Sequence, residues 1–143
     1  MNITPIVEGI KGRFLPIAIL VVSIGIFTSC GGDNDTTAME PATTSLDAAR
    51  EFIQAKLEGN EKKMNFYTTG SEADKEAVHM YMQSEFNALL DGERKQLKVA
   101  SITILSVTEP NDSITQVKYA NSVKQQPQVL TVVKRNGIWA VKP

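Results

Sequence analysis

Few side chains in this sequence are both reactive and spaced for chemistry. There is one Cys, Cys30, and one His, His79. A single Cys forms no intrachain disulfide and no multi-cysteine zinc site. His79 has Lys75 and Gln83 at four-residue spacing and no orienting acid of the kind a general base requires, so it reads as a surface or rim residue. Tyr67, Tyr81, Phe86, Tyr119 and Trp139 are the candidate lining of a pocket. No motif ties them together, and aromatics at core spacing more often pack than bind. P-loop, GxGxxG, HExxH and CxxC patterns are absent. The expectation is therefore no catalytic residue, no metal site and no cofactor.

Those residues need a fold to position them, and composition bounds it. The chain has 143 residues, 42% hydrophobic and 22% charged, enough for one core. Fifteen Lys and Arg stand against sixteen Asp and Glu, a net charge of -1, which argues against a nucleic-acid partner.

The N-terminal segment reads as an address. Lys11 and Arg13 precede FLPIAILVVSIGIF, an uncharged run from Phe14 to Phe27. As a helix it would span roughly 21 Å, short of a ~30 Å hydrocarbon core. That length fits a signal-peptide apolar region better than a permanent span. The run leads into Phe27-Thr28-Ser29-Cys30, which resembles the lipobox of bacterial lipoproteins, with Phe27 where Leu is usual; looser forms are common in Bacteroidota. The resemblance implies a signal peptide over 1–29, cleavage before Cys30 and lipid on its thiol. Acyl chains would then anchor the protein to a membrane, each buried CH2 contributing ~0.8 kcal/mol.

Residues 30–45 follow as lipidated Cys and tether, rich in Gly, Asp, Thr and Pro. Asp33 and Asp35 resemble the surface-export signal of Bacteroidota lipoproteins. Residues 46–143 form the folded domain. Thr44 or Ser45 caps a helix running to about Glu58, with Ala49, Phe52, Ile53 and Leu57 on one face and Gly59 as its stop. Asn60 caps a short second helix with Met64 and Tyr67 inward. Ser71 and Asp74 begin a long third helix. Its apolar stripe, Ala77, Val78, Tyr81, Met82, Phe86, Leu89 and Leu90, predicts that it covers the sheet, and Asp91-Gly92 ends it. Strands follow over VASITILSVT, Ile114–Val123, Val129–Lys134 and Ile138–Lys142, with Val117, Tyr119 and Val123 on one face. Asn136-Gly137 is a two-residue type I′ turn. Helices before a four-stranded antiparallel meander define an α+β fold.

The opening AAREFIQAKLEGN, the later Phe66-Tyr67-Thr68 and the closing KRNGIWAV are similar to small Bacteroidota lipoproteins of the DUF4878 type, within the NTF2-like superfamily. The resemblance covers roughly 46–143. It implies an NTF2-like/cystatin-like cone, with N-terminal helices packed on a curved sheet. NTF2-like isomerases use a Tyr and an acid inside the cone. Here Tyr67, Tyr81 and Tyr119, with Asp74 or Glu85, would have to supply them. The favoured expectation is a lipid-anchored envelope protein at the outer membrane, binding a small apolar ligand or an envelope protein without turnover. Its alternatives are a cone-pocket isomerase or hydratase and a structural accessory of an outer-membrane complex. A homodimer through the sheet is implied by resemblance alone.

Overall fold

The structure, a computed structural model, describes residues 38–143. The expected signal peptide, the lipobox-like residues with Cys30 and most of the expected tether lie outside the described residues. Within them, no helix is long and apolar enough to cross a membrane.

Four helices precede four strands: α1 (Ser45–Glu58), α2 (Glu61–Tyr67), α3 (Glu72–Tyr81), a π turn (Met82–Phe86), α4 (Asp91–Lys98), β1 (Ile102–Asn111), β2 (Ile114–Asn121), β3 (Gln128–Arg135) and β4 (Ile138–Lys142). The strands pair antiparallel in sequence order, so the α+β meander is observed. The caps are those the residue types favour. The Thr44, Asn60 and Ser71 side chains accept from the backbone N–H groups of Asp47, Lys63 and Asp74. Asn136 and Gly137 both take positive φ, 52° and 82°, between the paired residues Arg135 and Ile138, as a type I′ turn requires.

α1 is the helix that crosses the sheet. It touches all four strands, burying Ala48, Ala49, Phe52, Ile53 and Leu57 in one core with Val117, Leu130, Val132 and Val141. The expected cover, the third helix, packs instead beside α2. It is also shorter than the stripe implied. After Tyr81 the chain widens into the π turn, in which Asn87 N–H donates to Met82 O at 2.9 Å. Leu90 then lies 74% exposed as the residue preceding α4. α4 was not expected. It is a charged helix whose one buried residue is Leu97, and Asp91-Gly92 begins it rather than ending α3. Glu93 Oε2 accepts from the Leu90 N–H at 2.8 Å, which satisfies one of its first free donors.

Along β2, Thr115, Val117, Tyr119 and Asn121 are buried in alternation. Val123 falls beyond the strand and is exposed, contrary to the expected shared face. β1 starts later and runs further than expected, with register shifts between Ile104 and Ser106 and between Thr108 and Asn111 that bend this edge strand. The other edge is closed. Thr68 bridges Val141, Thr69 N–H donates to Val141 O at 3.1 Å, and Trp139 N–H donates to Ala42 O at 3.2 Å. Ala42 is buried and Glu40 O accepts from Tyr67, so the domain's contacts begin upstream of α1.

Thr115 is fully buried, and its hydroxyl finds no hydrogen-bond partner among the described residues. A buried unsatisfied polar group costs about 1–3 kcal/mol. Thr115→Val, equal in shape, is expected to raise stability by about 1 kcal/mol, read as a higher urea midpoint. A lower midpoint would reveal a partner for the hydroxyl.

Candidate functional site

Because α3 stands beside α2, a groove opens between its end, the π turn and the start of β3. Its volume is about 230 Å³. Phe52 and Lys56 of α1, Met64 of α2, and Val78 and Tyr81 of α3 line it, with Glu85 of the π turn. Tyr119, Gln128, Val129 and Leu130 line it from the sheet, and Ala77 of α3 and Pro143, just after β4, border it as well. A smaller cleft shares Lys56, Tyr81, Glu85, Tyr119 and Gln128 and adds Asn121 and Lys124.

Local structure aims each polar group. Tyr119 and Gln128 face each other across β2 and β3, and the Tyr119 hydroxyl donates to Gln128 Oε1 at 2.6 Å. The Tyr81 hydroxyl donates to Lys56 O at 3.1 Å, satisfying a carbonyl at the C-terminal end of α1. The Lys56 ammonium lies 4.6 Å from the centre of the Tyr81 ring, a cation–π distance. Asn121 Oδ1 accepts from the Val123 and Lys124 N–H groups, turning the chain after β2 so that Lys124 reaches the cleft.

Burial and then the nearby Glu85 carboxylate push both Tyr81 and Tyr119 up to about 12, so both phenols keep their protons at neutral pH. Burial pulls the Lys56 ammonium below its usual value; Glu85 opposes this and Lys124 adds to it.

Of the five aromatic candidates, the structure brings two, Tyr81 and Tyr119, into the groove. The other three lie elsewhere because the core claims them. The Tyr67 hydroxyl donates to Glu40 O at 3.1 Å, and its ring meets Phe66 edge to face at 5.0 Å. Phe86 is buried against the Gly59 turn. Trp139 pairs with Lys134 at the opposite end of β3, its ring 5.6 Å from that ammonium. Of the two acids considered, Glu85 reaches the groove. Asp74 is buried at the start of α3 and accepts from the Thr69 hydroxyl. His79 is exposed, with Glu61 Oε1 3.4 Å from its Nδ1, a partner on another helix that spacing could not show. Sequence reasoning missed Lys56, Gln128 and Lys124. Lys56 had one visible signal, since it precedes Leu57 at the edge of the apolar face of α1.

Among the described residues, no group of His, Cys, Asp and Glu is gathered to hold a metal ion. No family model, curated protein or solved structure matches the chain.

Proposed function

We propose that this chain is a lipid-anchored envelope protein of the DUF4878 type, with an NTF2-like domain that binds a small molecule in the groove and does not transform it. The observation that carries the binding reading is the groove itself, with an apolar floor and a few convergent polar groups. Its chemistry favours holding over turnover. Both tyrosine protons are already given to internal acceptors, Lys56 O and Gln128 Oε1, and no hydrogen bond joins Glu85 to either phenol. A tyrosine–carboxylate acid–base pair needs those protons free for substrate. The bent edge strand β1 and the opening beside α3 support the cone.

The anchor rests on the lipobox resemblance and is tested separately. Cys30→Ala is expected to abolish incorporation of a fatty-acid label and release the protein from membranes. Labelling at the wild-type level would refute lipidation at Cys30. The binding reading is tested by ligand titration of the full chain, described next.

A further inference from the structure

We propose that the groove takes a short-chain carboxylate, its head on the Lys56 and Lys124 ammonium groups and its apolar body along Phe52, Met64, Val78 and Leu130. This rests on the binding reading above and adds the ligand's chemistry.

Charge comes first. Lys63 has Glu51 at 2.8 Å and Lys75 has Glu72 at 2.8 Å. Lys56 has no carboxylate within 4 Å among the described residues, although it is the more buried cation. It rests instead on the Tyr81 ring, with Lys124 in the same cleft. Two ammonium groups therefore face one carboxylate, Glu85, around the shared mouth. Glu85 lies more than 4 Å from the Lys56 ammonium and is outnumbered by the two cations, so an arriving anion adds a charge-assisted contact. The reduced proton affinity of Lys56 comes first from burial, which the Glu85 carboxylate only partly offsets.

Polarity is graded along the groove. Phe52, Met64, Val78 and Leu130 carry no charge, while Lys56, Tyr81, Glu85, Tyr119 and Gln128 are shared with the cleft that holds Lys124. A ligand fitting both ends has one anionic head and one apolar body. Size sets its length. A volume of about 230 Å³ holds roughly eight water-sized groups at ~30 Å³ each. Hexanoate matches that count.

The test titrates the full chain in lipid nanodiscs by calorimetry with hexanoate, hexanamide and hexylamine. Hexanoate is expected to bind about tenfold or more tighter than hexanamide, the difference a charge-assisted contact supports. Lys56→Met, which keeps the stem and helix propensity, is expected to abolish that preference. Lys124→Gln, on an exposed loop, is expected to reduce it and serves if Lys56→Met unfolds. Equal binding of hexanoate and hexanamide, unchanged in both variants, would overturn the carboxylate assignment and leave the binding groove standing. Tighter binding of hexylamine would assign the mouth to Glu85 and overturn it as well. Absence of binding by all three probes would overturn both readings.

Discussion

Gly59→Ala is expected to destabilise the domain by about 2 kcal/mol or more and to lower its thermal midpoint by about 8 °C or more. Two effects add. Gly59 ends α1 in the left-handed region at φ 71°, where a side chain costs about 1–2 kcal/mol. A Cβ built there also collides with the ring of Phe86, which is itself buried. The chain must keep this turn. Gly59 N–H bonds back to Lys56 O, and Asn60 N–H donates to Ala55 O at 2.9 Å, closing the helix end. Relief would have to come from moving Phe86, and with it the π turn carrying Glu85. Thermal unfolding followed by circular dichroism reads the result. An unchanged midpoint would refute both the left-handed turn at Gly59 and the closure of Phe86 over it.

Phe52→Ala is expected to cost about 3–5 kcal/mol, the usual loss for a buried Phe truncated to Ala. Phe52 is 3% exposed on the face of α1 that crosses the sheet. Phe66→Ala is the control. That ring is 40% exposed, so a loss of about 1 kcal/mol or less is expected. Urea unfolding of both variants separates them, since each slope calibrates its own transition. Equal losses would show that α1 does not carry the central packing. Phe52 also lines the groove, so its truncation enlarges that space and a small apolar ligand should restore part of the stability.

Where periodicity was strong, the elements were legible. α1 shows it best, because Ala49, Phe52, Ile53 and Leu57 make one stripe between a Thr cap and a Gly stop, and all four are buried. The β3–β4 hairpin was equally plain, since Asn-Gly is suited to two positive-φ positions. α4 was hidden because periodicity had nothing to detect; Leu97 is its one buried residue. Its remaining signals were acids Asp91 and Glu93 in the first turn and Lys95 and Lys98 in the last. The π turn left a faint trace. Val78, Met82 and Phe86 recur every four residues, wider than the 3.6 of an α-helix, and all three are buried.

The groove was less legible than the fold. Tyr81 and Tyr119 were visible as aromatics, but so were Tyr67, Phe86 and Trp139, and sequence could not tell pocket from packing. Its cations were obscure for a different reason. Lys56 on α1 and Lys124 after β2 are far apart in the chain and meet through tertiary packing alone. Which helix covers the sheet decided the matter. With α1 across the strands, α3 is left to one side and the opening lies beside it.

The π turn has an evolutionary consequence. Each residue advances an α-helix by about 100°, and this turn holds one residue more than an α turn would. Phe86 thereby reaches the Gly59 turn while Glu85 borders the groove. Excising one residue would restore α-helical phase and force a choice between those two placements. A substitution at Glu85 alters one charge and leaves the frame intact. Retuning this site by descent is therefore open to point changes and closed to single-residue deletions, so length across 82–86 should vary less among descendants than the residue at 85.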